Sequence, residues 1–164
     1  ILKDDPENYE ARAEVMWAGS LSHNNLTGCG NNGGDFMSHK LEHEMGGMFD
    51  VTHGAGLSAL WPSWARYVYK ANVSRFVRFA VNVMGVTNDF ADPEGTALRG
   101  ISAVEDFYRA IGMPVNIPEL IGRKATDEEI SEMARKCTRN YTITKGALKV
   151  LKAEDMVNIY KMAN

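Results

Sequence analysis

A helical period that recurs between hard stops constrains this chain most, because strand-type alternation scarcely competes with it. Val73, Phe76/Val77, Ala80 and Val83/Met84 fall at i, i+3/i+4 and i+7 behind Asn72, a residue type that caps helices well. Asp92-Pro93-Glu94 joins a capping acid, a proline suited to the first turn and an acid near the positive end of the helix dipole. Leu98, Ile101, Val104, Tyr108 and Ile111 then form a face to be buried, and Gly112-Met113-Pro114 stops the helix. Thr126 and Glu129 make a capping box ahead of Ile130, Met133 and Ala134. A last helix fits 153–163, with Met156, Ile159/Tyr160 and Ala163 on one side. Near the start, Asp5-Pro6 predicts a helix carrying Tyr9, Ala13, Met16/Trp17 and Leu21. The fold class expected is all-α, a helical bundle-like domain without internal repeats.

At 164 residues and 45% hydrophobic content, the chain has material for one domain with a proper core. A net charge of -3 gives no electrostatic case for a nucleic-acid partner. No apolar run approaches bilayer-spanning length and no signal peptide opens the chain, so the expectation is a cytoplasmic protein without a membrane partner. Cys29 and Cys137 are too few for a disulfide framework. The chain begins at Ile1 within a charged, structured-looking segment, ILKDDPENYEARAEVMWAGSL, which reads as the middle of a longer protein.

Chemistry concentrates between residues 24 and 64. NNLTGCGNNGGD (24–35) is a Gly/Asn-rich loop; a helix is expected from about Asp35 to Gly46, where Gly-Gly ends it. His53-Gly54 begins another apolar helix, which Pro62 is expected to interrupt. Three of the four histidines, His39, His43 and His53, lie here. His39 and His43 are four apart and share a helix face, and a tight turn can bring His53 back against them. Imidazole nitrogen suits zinc, iron, copper and nickel alike, and spacing alone does not choose. A bare H-x3-H is more often a surface or packed pair, and no Glu follows His39 as the zinc-protease motif requires. The third histidine and the surrounding Gly46-Gly47 and Gly54-x-Gly56 strengthen the case for a ligand site, since glycine permits close backbone approach.

The stretch GGDFMSHKLEHEMGGMFDVTHGAGLSALWPSW resembles the second signature of the iron-containing (group III) alcohol dehydrogenases, in particular their butanol dehydrogenase-like subgroup. ENYEARAEVMWAGSLSHNNLTG before it, and AVEDFYRAIGMPVNIPELIG and LKAEDMVNIYKMA after it, extend the resemblance over essentially the whole chain. It implies that residues 1–164 correspond to the C-terminal all-helical domain of a dehydroquinate synthase-like fold, the N-terminal dinucleotide-binding domain being absent from this chain. In that family one Asp and three His bind the metal. By resemblance His39 and His53 match the last two ligands, and His43 matches a non-ligand histidine facing substrate and nicotinamide, a catalytic position. The remaining two ligands are expected before Ile1. His23 lacks the family's Asp four residues earlier, where Gly19 stands, and is expected to be a surface or helix-end residue.

The implied cofactors are a divalent metal, Fe2+ ahead of Zn2+, and NAD(P)H bound by the absent domain, with no cofactor-binding residue assigned in this chain. The implied reaction interconverts primary alcohols such as butanol with aldehydes, in a homodimer, and the fragment alone is expected to be inactive. Glu42 and Asp50 are candidates to orient the ligand imidazoles, with solvated surface acids as the stronger expectation. Phe49, Trp61 and Trp64 are candidates for an apolar substrate pocket, with plain core as the stronger expectation. The alternative from a different class is a stand-alone, non-catalytic helical binding or scaffold module.

Overall fold

The structure is a computed structural model and describes residues 1–30 and 34–164. Among these, eight α-helices and two short 3-10 turns make up the regular structure, with no strand beyond one isolated bridge between Lys145 and Leu151. No helix of the described residues is long and apolar enough to cross a membrane. The chain forms two compact units, Ile1–Gly34 and Asp35–Asn164.

The first unit is built on α1 (Tyr9–His23). Its cap is Asn8, whose side-chain oxygen accepts from the Ala11 amide at 3.0 Å, so the helix starts later than Asp5-Pro6 suggests. The Pro6 carbonyl instead accepts from Arg12 Nε at 2.6 Å. None of the α1 residues is buried: Tyr9, Val15, Met16 and Trp17 are all exposed. A 3-10 turn, Leu26–Gly28, follows. Of the loop expected over 24–35, residues 31–33 lie outside the described residues.

The second unit holds α2 (Met37–Phe49), α3 (His53–Val68), α4 (Val73–Asn82), α5 (Pro93–Ala110), α6 (Ile117–Ile121), α7 (Asp127–Cys137) and α8 (Ala153–Ala163). Leu41, Leu60, Ile101, Ile130, Met133 and Ile159 form the centre of its core. The caps read from sequence are present. Asn72 accepts from the Arg75 amide, Asp92 from the Gly95 amide at 2.8 Å, and Thr126 and Glu129 form their reciprocal box. Ile111, expected on the buried face of α5, is the C-cap and 46% exposed, because Gly112 turns the chain away at φ 80°. The short helix α6, capped by Asn116, carries too few residues to show a period.

Two helices outrun their expected stops. α2 continues through Gly46-Gly47 and ends at Asp50, which takes the left-handed conformation at φ 52°. α3 continues through Pro62, where the ring costs one helix hydrogen bond. Burial of Ala59, Leu60, Trp64, Ala65 and Val68 along the same helix outweighs that loss. α4 and α5 pack very closely at Gly100, where an added Cβ would overlap Ala80 Cβ and lie 2.8 Å from Ala80 Cα.

α2 is gripped from its buried side. The hydroxyl of Tyr160 on α8 donates to the Leu41 carbonyl at 2.7 Å, and the thiol of Cys137 on α7 reaches the Lys40 carbonyl at 3.6 Å. Asp35 fixes the entry to the helix: it accepts from the Met37 amide, and from the amides of Ala147 and Leu148 at 2.9 and 2.7 Å. α3 is tied to α5 by a two-pronged pair of Arg66 with Glu105, and to α8 by the Tyr67 hydroxyl on Asp155 at 2.6 Å.

Candidate metal centre

The turn 50–52 lets α3 pack directly on α2, and three imidazoles meet where the helices face one another. His39 and His43 stand one turn apart on α2, and His53 is the first residue of α3. The His53 ring centroid lies 5.5 Å from that of His39 and 5.4 Å from that of His43. Two imidazoles sharing one ion through bonds of about 2.1 Å hold their centroids roughly 5 Å apart, so the spacing fits a shared ion. His39 is half-buried, with Phe36 packed on its ring at 5.1 Å, whereas His43 and His53 are exposed.

Glu42, one of the two acids named as candidates to orient the imidazoles, lies beneath the histidines, against the stronger expectation. Instead of a solvated acid it is 1% exposed, and its Oε2 meets Nδ1 of His53. Its other oxygen packs where side chains would otherwise stand: an added Cβ would lie 2.6 Å from Oε1 at Gly56 and 2.9 Å from it at Gly46. Gly46, inside α2, thus serves as space for a carboxylate rather than as a helix stop. Donor atoms of Glu42, His43 and His53 lie within 4.8 Å of one another; His39 is not one of that trio, and its ring stands beside it, 5.5 Å from that of His53 between centroids. Asp50 is exposed at the end of α2, as a solvated acid would be.

The remaining candidates have neighbours of other kinds. His23 is an exposed residue at the end of α1, with Nδ1 near the Gly19 carbonyl and the Ser22 hydroxyl. Trp64 belongs to the core, and Phe49 is half-buried beneath the Arg123 guanidinium, 5.6 Å from its ring centroid. Trp61 lines a cavity of about 290 Å³ with Phe79, Met84, Val104, Phe107 and Tyr108. None of the three aromatics makes a ring contact with the imidazoles among the described residues.

The sequence profile of the Fe-containing alcohol dehydrogenase family, C-terminal, matches residues 1–164. The chain belongs to this family. It is 32% identical over 163 residues to NADH-dependent butanol dehydrogenase A of Clostridium acetobutylicum, covering 98% of this chain and 40% of that protein. With the probable NADH-dependent butanol dehydrogenase 1 of Bacillus subtilis it shares 31% identity over 160 residues, again 98% of this chain and 40% of the relative. The crystal structure of NADH-dependent butanol dehydrogenase A from Thermotoga maritima superposes with a TM-score of 0.88 at 30% identity, over 99% of this chain and 41% of that one. The chain thus spans about 40% of the length of these relatives. Both the family resemblance and the all-α expectation hold.

The burial of Glu42 is what spacing missed, although its place near the histidines made it a candidate. A carboxylate three positions after one histidine and eleven before another has no periodic signature, and only Gly46 and Gly56 hinted that something occupied the place of their side chains.

Proposed function

We propose that residues 1–164 are the C-terminal, metal-binding domain of an NAD(P)-dependent iron-type alcohol dehydrogenase interconverting primary alcohols such as butanol with their aldehydes. The convergence of His39, His43 and His53 in a family member supports this reading above all else. The donor set fits a divalent ion, since His53 is engaged at Nδ1 and keeps Nε2 for a ligand bond. His39 and His53 would hold it, Fe2+ ahead of Zn2+, together with ligands from chain outside these residues. A bound ion would supply Lewis acidity at the alcohol or carbonyl oxygen.

His43 is exposed beside His53, where an imidazole can take the alcohol proton and hand it to water. NAD(P)H is bound by the dinucleotide-binding half of the complete enzyme, a cytoplasmic homodimer in this reading. The 164 residues alone are then catalytically silent and hold metal weakly. The exposed apolar side chains of α1 are the observation that favours the alternative, a stand-alone binding module.

Metal analysis together with butanol-dependent reduction of NAD+ by the complete protein tests the proposal. His39→Ala and His53→Ala lose metal and activity together, whereas His43→Ala keeps metal and loses rate. Full metal content in His53→Ala would sink the ligand assignment, and a complete protein with neither metal nor turnover would favour the binding module.

A further inference from the structure

We propose that Glu42 is the positioning residue of the centre: its carboxylate accepts the Nδ1 proton of His53, fixes the ring in one tautomer and holds Nε2 toward the point shared with His39. The inference rests on the metal reading above for what Nε2 does there. The arrangement itself stands on the structure of Glu42.

Acidic side chains are almost never fully buried unless they are paired, and Glu42 is 1% exposed. Among the ion pairs of the described residues its partner is His53 alone. Two helices make room for it. At Gly56 an added Cβ would reach not only Oε1 at 2.6 Å but also Cγ at 2.7 Å and Cδ at 3.1 Å, so the whole end of the side chain lies against α3. At Gly46 the same oxygen is met at 2.9 Å from the other side. The carboxylate therefore lies against the first turn of α3, at the positive end of its dipole, which favours a negative group there.

This geometry also separates positioning from ligation, although Glu42 donor atoms lie close enough to those of His43 and His53 to share an ion with them. A ligand carboxylate must present an oxygen to the ion. Here Oε1 is packed between two glycines and Oε2 is engaged by Nδ1 of His53. Oε2 is engaged and Oε1 is enclosed by backbone, and the ring nitrogen left over belongs to the imidazole. His53 is exposed at the first position of α3, and the hydrogen bond from beneath acts with the ring contacts of His39 and His43 to set its rotation.

Long-range proton–nitrogen correlation spectra of the 15N-histidine-labelled chain, recorded metal-free at pH 8, read the tautomer directly. His53 is expected with its proton on Nδ1. Glu42→Ala is expected to move it to Nε2, the form free imidazole side chains favour, and Glu42→Gln to restore Nδ1–H, because the amide oxygen accepts the same bond. In Co2+ titrations by chelator competition, Glu42→Ala is expected to weaken binding by about 10–100-fold and Glu42→Gln by much less. An Nε2–H tautomer in the unsubstituted chain overturns the proposal, and this spectrum decides even where Glu42→Ala fails to fold. Loss of Co2+ binding in Glu42→Gln as complete as in His53→Ala also overturns it, since Glu42 is then a ligand. The Nδ1–H tautomer with Co2+ affinity unchanged in His53→Ala upholds the positioning and overturns the metal reading alone.

Discussion

Replacing Gly56 by alanine sets two known effects against each other at one atom. Alanine in a helix interior is favoured over glycine by about 1 kcal/mol. Gly47, in α2, shows that gain uncomplicated, because an added Cβ there meets nothing within 4 Å. Gly47→Ala is therefore expected to stabilise the chain by up to about 1 kcal/mol. At Gly56 the same methyl would lie 2.7 Å from Glu42 Cγ, an atom too near the α2 backbone to swing aside like the end of a flexible chain. Forcing a methyl into packed space costs about 1–3 kcal/mol, and displacing the carboxylate from His53 costs about 1.5–3 kcal/mol more. The net expectation for Gly56→Ala is a loss of about 2–4 kcal/mol, after the helix gain is credited. Urea unfolding followed at 222 nm measures it, with an unchanged slope required for both variants. In thermal melts the two alanine variants should stand roughly 10 °C apart. Gly46→Ala, whose only tight contact is Oε1 at 2.9 Å, should fall between them. A Gly56→Ala chain as stable as Gly47→Ala would refute the idea that these glycines exist to seat a buried carboxylate.

Gly100→Ala drives a methyl into the α4 backbone at Ala80, which cannot yield as a side chain end does, so a loss of about 1–3 kcal/mol is expected in urea unfolding. The Arg123 guanidinium, helped by the Thr126 amide, holds the Glu129 carboxyl at about 2 instead of its ordinary 4.5. A folded-state value below the unfolded one means stability present above pH 4.5 and lost as pH falls toward 2. The difference in unfolding midpoint between Glu129→Gln and the unsubstituted chain should accordingly shrink to nothing over that interval. Burial pushes the Cys137 thiol up to about 11, whereas Cys29 is exposed. A thiol-specific disulfide reagent should titrate Cys29 in the native chain and Cys137 only on unfolding; rapid native reaction of both would refute the burial of Cys137.

Much of the helical unit was legible because its signals are local. Asn72, Asp92 and Thr126-x-x-Glu129 are caps whose chemistry acts within three residues, and the period of α8 names its buried residues correctly. The errors came where packing overrules local preference. Gly46-Gly47 and Pro62 look like stops, yet both helices continue, Gly46 making room for a carboxylate and α3 burying a row of side chains past its proline. The histidines were visible as a cluster through spacing, while the acid beneath them was only the weaker of two readings, because burial of a charged side chain depends on what two helices leave open.

The grip of Tyr160 and Cys137 on α2 has a consequence for how the centre comes into being. The hydroxyl that meets the Leu41 carbonyl lies 119 positions later in the chain, and the thiol at the Lys40 carbonyl 97 later. During synthesis the histidines of α2 emerge long before the groups that seat that helix from behind. Contacts so distant along the chain form late, since loop closure must precede them. The ribosome therefore releases the imidazoles early and unanchored, and their final arrangement waits for α8.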